Sequence, residues 1–521
     1  MSVDLRPPGG VGAAPVGSAP GGGRLPADAR LLAGITLIAA VVRFATLTGQ
    51  SFWFDEAQAV HEMQLSFGAM LHAWSTYEPN PPLYFVLAWP WAQLFGTGEA
   101  GMRALPALLG TLTVPLVYLG GRELVSRRAG LFAAALTALS PFLVWYSQEA
   151  REYALLTLLS AASVWCFARA WHARGRRALL WWAMVSALAL LTQYFAGFLV
   201  AAEAVALLWR LRSRAALGAA AAQAAVEAAL IPHLVGHAAH PASWIDSAGT
   251  LSLRLKQVPV AFALNTLYRG TAVSYGLWGA AVLVAILIAL LVAGAGSSEL
   301  RGAGLAAGLA AAVLLVPLVL ALAGRDYYEA RALIPAWVPL ALVIGAACAA
   351  SGARVAGAAL AVVLAAAFVW SGIVIDTGKP VYRRTDWRGV ARALGHSSTT
   401  RAIVAYDGSF ATAPLAIYLR GVGWTADGQN PQTSPAPVTV GELDVVGGEG
   451  QVLTRPLPRG VTLLSARTVD AYLVDRFRLG APARATRPAL AALAATLLGV
   501  PGGGSSGLAQ GSAVLVQRPS Q

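Results

Sequence analysis

Apolar residues do not alternate with polar ones along most of this chain; they run on. LLAGITLIAAVVRFATLTG at 31–49 opens the series. Further runs long enough to cross about 30 Å of hydrocarbon lie at 104–121, 129–146, 153–171, 178–193, 195–209, 215–235, 274–293, 302–323, 331–350 and 353–375. Each predicts a membrane-spanning helix, about 11 transmembrane helices in all. Two stretches break the pattern. Residues 81–97, with Pro81, Pro82, Trp89, Pro90 and Trp91, suit a helix lying in the interface. Residues 257–272, interrupted by Asn265 and Arg269, read as a non-crossing or re-entrant segment.

At both ends the pattern changes. Residues 1–26 are rich in Gly, Pro and Ala and offer little to a core, so 1–30 reads as a disordered tail ahead of a membrane domain at 31–375. From about 376 the apolar stretches shorten to strand length. RAIVAY (401–406) and SAVLVQ (512–517) read as strands, 386–395 and 488–499 as helices, and the Gly- and Ser-rich run at 501–511 as a loop. Residues 376–521 thus predict a small α/β domain.

Composition sharpens this. Hydrophobic residues make up 57% of the chain and charged ones 12%, with a mean hydropathy of +0.61. A soluble domain carries about 25% charged residues, so an ordinary soluble enzyme is excluded, and a disordered chain more firmly. The net charge of +13 rests almost wholly on arginine, Lys256 and Lys379 being the two lysines. It implies no nucleic-acid partner. The positions of the arginines matter more, because short cytoplasmic loops collect them. With 81–97 interfacial, Arg122, Arg127 and Arg128, then Arg174, Arg176 and Arg177, then Arg210, Arg212 and Arg214, then Arg301 and Arg354 all fall on one side with the N-terminal tail. The expected topology is N-terminus in and C-terminus out, which makes 50–103 the first outer loop and 376–521 extracytoplasmic. Cys166 and Cys348 lie inside apolar runs, against a disulfide framework or a CxxC metal site.

This topology gathers unusual residues at the outer surface. In SFWFDEAQAV (51–60) the adjacent acids Asp55 and Glu56 sit among Phe52, Trp53 and Phe54. An acid held against aromatics loses solvation, which suits a general base; the same stretch would also serve as a polar break with an aromatic belt. WYSQEAREY (145–153) interrupts an apolar hairpin with Glu149, Arg151 and Glu152, costly at such depth unless functional, or a local ion pair capping the next helix. GRDYYEARALIP (324–335) places Arg325 and Arg331 around Tyr327 and Tyr328 on the side where positive charge is not expected. Arginine binds phosphate bidentately, and it also anchors helix ends by snorkelling. Arg103, Arg254, Lys256 and Arg269 belong more weakly to the same outward set. HLVGHAAH (233–240) has the helical spacing of a metal site, but Gly236 and Pro241 favour a loop end. No Walker motif is present.

The acidic pair after the first span, PNPPLYFVL (79–87), GEAGMRALPALLGTLTVPLVYLGGREL (98–124) and YSQEAREYAL (146–155), in that order, resemble the bacterial GT-C glycosyltransferases related to dolichyl-phosphate-mannose protein mannosyltransferases and lipid A aminoarabinose transferases. The resemblance is stronger over 31–235 than around RALIP. It implies a GT-C-like α-helical polytopic membrane protein that moves a sugar from a polyprenyl-phosphate-linked donor to an envelope acceptor on the outer face of the cell membrane. It places the first-loop acid on Asp55, with Glu56 beside it, and the second-loop residues on Glu149, Arg151 and Tyr153. Bottom-up chemistry adds Arg331 and Tyr328 to the donor-phosphate candidates. Relatives carry Leu-Thr-His-Tyr where this chain has LTQYFA (191–196), so Gln193 stands at the histidine. A divalent metal is left open, since some relatives bind one between the two acidic loops. The rival reading is a lipid or saccharide transporter or flippase, which would bind at the bilayer midplane with inverted repeats; here the charges cluster at the outer ends of spans.

Overall fold

Continuous apolar runs can satisfy their backbone in lipid only as helices, and a computed structural model of the chain bears this out. It describes residues 27–173, 175–238, 249–266, 271–406, 409–419, 422, 437–447, 456–498 and 513–519. The tail at 1–26, Arg269, His240, the side chain of His237 and the loop at 501–511 lie outside the described residues. The helices are α1 (Ala27–Phe44), α2 (Phe54–Met63), α3 (Phe67–Tyr77), α4 (Leu83–Phe95), α5 (Glu99–Leu124), α6 (Arg127–Leu139), α7 (Pro141–Ser147), α8 (Tyr153–Ala173), α9 (Arg176–Leu190), α10 (Ala196–Leu211), α11 (Arg214–Ala238), α12 (Leu251–Leu264), α13 (Gly276–Gly294), α14 (Ser297–Leu322), α15 (Trp337–Ala349) and α16 (Arg354–Thr377).

Among the described residues six helices are long and apolar enough to cross a membrane, and seven if α6 and α7, bent by 59°, form one span. Eleven full-length crossings are therefore not what the helices themselves display. α9 and α10 have 15 and 16 residues, about 22–24 Å at 1.5 Å per residue. Residues 331–350 divide into a short 3-10 turn at Ile334–Ala336 and the 13-residue α15. Hydropathy registers apolar composition, whereas a helix packed inside protein can stop short because its end groups find protein partners. Among the described residues of 257–272, α12 ends at Leu264 and passes into Asn265, whose φ of 49° lies in the left-handed region.

Small residues set the closest helix crossings. A Cβ on Gly121 of α5 would stand 2.7 Å from the Cα of Gly130 on α6, and one on Gly130 would stand 2.6 Å from the Tyr118 carbonyl. The two backbones can touch only because neither residue has a side chain. Deeper in, Ser163 of α8 and the Trp182 indole of α9 donate to the buried Glu203 of α10, a polar tie that periodicity alone does not reveal.

Arg43 is not the snorkelling anchor that its place near the end of a span suggests. It is fully buried. Its guanidinium donates to the Ala138 and Thr137 carbonyls at 2.9 and 3.0 Å and to Ser147 Oγ at 3.1 Å. These are the carbonyls freed where α6 ends and α7 turns away at Ser140. Gly110 leaves the room: a Cβ there would lie 3.0 Å from Arg43 Nε and 2.1 Å from Ser147 Oγ.

Beyond α16 the chain forms a five-stranded sheet in the order β3-β4-β2-β1-β5, from β1 (Arg401–Ala405), β2 (Val438–Gly447), β3 (Val461–Val469), β4 (Tyr472–Ala485) and β5 (Ala513–Gln517). β1 and β2 are parallel and the other pairs antiparallel. Helices α17 (Trp387–Leu394) and α18 (Ser409–Tyr418) cover one face, with Val390, Leu394 and Leu415 against Ile403 and Leu515. Helix α19 (Arg487–Leu497) covers the other, with Leu490 and Leu497 against Val404, Leu443 and Phe477. The strand alternation Ala402/Val404 against Ile403/Ala405 divides the two cores, as a period of two requires. Both expected strands and both expected helices of this region are present.

Arg43→Met is predicted to leave the Ala138 and Thr137 carbonyls buried and unpaired. At about 1–3 kcal/mol for each unsatisfied group, the protein should lose at least roughly 2 kcal/mol of stability, read as a lower thermal midpoint in detergent. An unchanged midpoint would refute the capping role.

Candidate active site

The first acidic loop becomes helix α2 immediately after α1, with Asp55 and Glu56 in its first turn. Neighbours on a helix point about 100° apart, and the two acids diverge. Glu56 turns inward and is fully buried. Its carboxylate accepts from Arg103 Nε at 2.7 Å and Nη2 at 2.5 Å, and from the Ala150 N–H at 3.1 Å. Burial opposes its ionisation, but the Arg103 and Arg384 guanidinium groups outweigh burial and hold its carboxyl below the ordinary range. Arg103 spends its remaining donors on the carbonyls of Leu47, Gln50 and Ser51. Asp55 stays partly open, its side chain 22% exposed, and accepts from Arg331 Nη1 at 3.2 Å.

The second loop likewise sends its charges two ways. Arg151 is turned from the first loop's acids toward Glu78, which takes its guanidinium at 2.9 and 3.0 Å, with Glu152 at 3.1 Å. The Phe85 ring covers it at 5.6 Å. This pair sits in a buried polar knot. Gln193 donates to Glu152 at 3.5 Å. The Glu62 carboxyl is pushed up to about 8 by burial, Glu78 and Glu152 adding to the effect and Arg151 opposing it. Glu149 faces the other way. It is buried, with Oε2 accepting from Arg384 Nη2 at 3.0 Å. Burial pushes its carboxyl up to about 7; Arg384 works against this, while Glu56 and Asp55 add to it.

Between the loops lies a cavity of about 340 Å³ whose polar lining is Glu149, Asn265, Thr266, Glu329, Arg331, Arg383 and Arg384, set among Trp53, Trp145 and Trp387. Arg331 comes from the turn after α14 and also pairs with Glu329 at 3.1 Å. Asp55 stands at the edge of this cavity through its bond to Arg331. Two N–H donors on lining residues, Trp53 Nε1 and Asn265 Nδ2, are buried with no hydrogen-bond acceptor, while Arg384 Nε faces the Glu56 carboxylate at 3.9 Å. Glu149 Oε1 is likewise unmatched. Buried polar atoms in native proteins are almost always paired, so a cavity walled by orphan donors is shaped for an acceptor-rich ligand.

The sequence-predicted residues therefore separate. Glu149 and Arg331 line the cavity, and Asp55, outside the lining, is joined to it through Arg331. Glu56, Arg151, Tyr153 and Tyr328 are not among its lining. Tyr153 stands behind Tyr146, ring centroids 4.8 Å apart. Tyr328 is buried and uses its backbone to accept from Arg254 at 2.9 Å. Asn265, Arg383 and Arg384 were not picked out, although Arg383 and Arg384 carry the same signal that singled out Arg331: arginine just beyond a span on the side expected to lack it. Among the described residues no three His, Cys, Asp or Glu side chains are grouped to hold a metal ion, and Asp55 and Glu149 each face an arginine.

Residues 79–235, which contain the second loop, match the family profile described as dolichyl-phosphate-mannose-protein mannosyltransferase. No curated protein sequence matches the chain. Among solved structures, ArnT from Cupriavidus metallidurans in the apo state is 13% identical, with 87% of this chain and 98% of that one covered at a TM-score of 0.50. The same protein bound to undecaprenyl phosphate gives 14%, 86%, 97% and 0.49. The oligosaccharyltransferase AglB from Archaeoglobus fulgidus gives 15%, 71%, 58% and 0.41. At such identity the likeness to ArnT is one of fold, held over nearly the full length of both chains. The family match in 79–235 and the ArnT-like fold are likenesses of part of the sequence and of the overall architecture respectively.

Glu56→Gln is predicted to be a stability variant. Removing one partner of a fully buried pair costs about 3–5 kcal/mol, whereas the partly exposed Asp55–Arg331 pair is worth only about 0–1 kcal/mol. In detergent Glu56→Gln should unfold at clearly lower temperature than Asp55→Asn; the reverse order would overturn this division of roles.

Proposed function

We propose that this protein is a membrane glycosyltransferase that moves a sugar from a polyprenyl-phosphate-linked donor to a hydroxyl-bearing envelope acceptor at the outer face of the membrane. The observation that carries this reading is the cavity itself. One carboxylate, Asp55, stands at its edge beside an arginine, and its wall offers N–H donors with nothing to bond. A lipid-linked phosphate supplies the acceptors such a wall lacks. That the ArnT fold is known with undecaprenyl phosphate bound accords with such a ligand.

The donor already carries its leaving group, so the protein must position two reactants and manage charge. The acceptor oxygen attacks the anomeric carbon and its proton passes to the Asp55 carboxylate. The bond between that carbon and the phosphate oxygen breaks, and the electron pair leaves with the polyprenyl phosphate. Arg331 is shared between these tasks: it orients Asp55 in the resting site and turns toward the phosphate as negative charge grows there. Asn265, Trp53 and Arg383 are the neutral and cationic donors around it. Glu56 and Arg151 hold the two loops in place and touch no reactant.

The arginine partition supports the N-terminus inside and the C-terminal domain outside. A reporter active only in the cytoplasm, fused after Gln521, is expected to be silent; activity there would reverse the topology.

Purified protein offered a panel of radiolabelled polyprenyl-phosphate sugars should turn over at least one of them. Asp55→Asn keeps size and shape, yet general bases contribute about 10²–10⁴-fold. The variant should stay folded and lose at least roughly a hundredfold in kcat. A folded Asp55→Asn protein with near-normal transfer would remove Asp55 from the base position.

A further inference from the structure

The C-terminal domain does not hang free below the last span. The strap that joins it to α16, residues 383–387, runs between the two acidic loops and binds both. Its backbone takes the first loop: the Arg384 N–H donates to Gln50 Oε1 at 2.8 Å, Ser51 Oγ donates to the Thr385 carbonyl at 2.7 Å, and the Trp387 N–H donates to Ser51 Oγ at 2.9 Å. The Arg384 side chain takes the second. Its guanidinium donates to the Gln148 carbonyl at 3.1 Å, the Trp145 carbonyl at 3.4 Å and Glu149 Oε2 at 3.0 Å, and lies 4.3 Å above the Trp145 ring. These carbonyls belong to the C-terminal end of the seven-residue helix α7, where orphan acceptors and the negative end of the helix dipole favour a cation. α7 has no basic residue in its own last turn. The cap arrives from 235 residues downstream.

We infer that Arg384 is a positioning residue for the proposed transfer reaction: it caps α7, fixes the second acidic loop and aims Glu149 into the cavity, so that docking of the C-terminal domain completes the site. This rests on the glycosyltransferase reading for its catalytic consequence, while the capping itself stands on geometry. The domain is seated by further bonds that spare Arg384. The Phe52 N–H donates to the Tyr418 hydroxyl at 2.7 Å, and Arg388 reaches the Thr48 carbonyl at 2.9 Å and Glu99 at 3.1 Å. α18, through Tyr418, thus leans on the same first loop whose next turn bears Asp55.

The groups facing Glu149 decide what loss of Arg384 does. From α2 come Asp55 and Glu56, both negative; from the turn after α14 comes Arg331; Arg384 is the cation in direct contact. The Tyr146 and Tyr153 rings stand near the same acids, their centroids 4.8 Å apart. Removing Arg384 therefore leaves Glu149 beside two carboxylates with less to oppose them. Its ionisation moves to higher pH, and its side chain is free to turn.

The experiment has two arms. In ligand-free protein, hydrogen exchange of the segment 145–152 should quicken at least roughly tenfold in Arg384→Ala, and only partly so in Arg384→Lys, which keeps the charge but not the fork that spans two carbonyls and a carboxylate. In transfer assays Arg384→Ala should lower kcat at least roughly tenfold with the KM for the lipid-phosphate sugar within about threefold. The acid limb of kcat should move up by about one pH unit or more, the scale of a lost contact charge. Arg384→Lys should restore most of the limb, and Arg384→Ala should add little to Glu149→Gln. Tyr418→Phe, which loosens docking with Arg384 intact, should show a smaller kcat loss of the same kind. Unchanged exchange at 145–152 would overturn the positioning role. So would a KM effect with kcat preserved, which would make Arg384 a phosphate ligand, or a uniform kcat loss with an unmoved limb. If the wild-type protein turns over no sugar donor while the exchange result holds, the glycosyltransferase reading fails and the capping role survives.

Discussion

Everything around the two acidic loops is arranged on one buried ion pair, Glu56 with Arg103. Charged groups at this depth are tolerated only when each finds enough partners to replace water. Glu56 comes from the first loop and Arg103 from α5, and their bonds recruit the backbone of Leu47, Gln50, Ser51 and Ala150. A pair that costs so much to desolvate is a poor source of net stability, yet it admits very few geometries. Fixing it fixes the end of α1, the start of α2 and the turn of the second loop at once. Asp55 inherits its position from this joint: once Glu56 points inward, the residue before it must face elsewhere on the first turn of α2.

The polar atoms of the region divide by whether their partners are already present. Glu56–Arg103, Arg151–Glu78 and Arg254–Asp326 are closed on themselves, each carboxylate held by its arginine. The cavity is the opposite case. Its indole and amide N–H groups are out of water and have no acceptors. Arg151 spends its guanidinium on Glu78 and Glu152, however apt its chemistry for phosphate, whereas Asn265, held with a positive φ at the end of α12, lines the cavity with an unpartnered amide N–H.

How far the sequence carries follows from the same distinction. The helices, the C-terminal sheet domain and the two acidic loops were legible because each rests on a local signal: apolar run length, strand-length alternation, or an acid where apolar residues surround it. Asp55 and Glu149 were singled out by that last signal, and Arg331 by positive charge on the side expected to lack it. What pairs with what was not legible, because Arg103 lies 47 residues from Glu56 and Arg151 lies 73 from Glu78. No local pattern distinguishes an arginine that will meet a glutamate from one that will meet a phosphate. Arg43 shows the same limit: its place near a helix end fits a snorkelling anchor, and only the bend at Ser140 turns it into a cap. Arg384 sits in VYRRTDWRG, and its role exists only once the last span brings residue 384 back beside residue 149.

That return sets a constraint on the C-terminal domain. A short helix such as α7, about two turns between a 59° bend and an acidic turn, leaves carbonyls at its C-terminal end without intrahelical partners. In water those carbonyls would be solvated; against the Trp145 ring and below Glu149 they are not. Some donor must reach them, and the donor must be cationic if it is also to offset the Glu149 carboxylate. Lysine satisfies the charge but offers a point, whereas the planar guanidinium spans two carbonyls and a carboxylate together while stacking on the indole. The strap delivers this group with its backbone already bonded to Gln50 and Ser51, so the arginine enters with few degrees of freedom left to lose. The seating of a sheet domain outside the membrane and the shape of a turn between two spans are in this way one structural event.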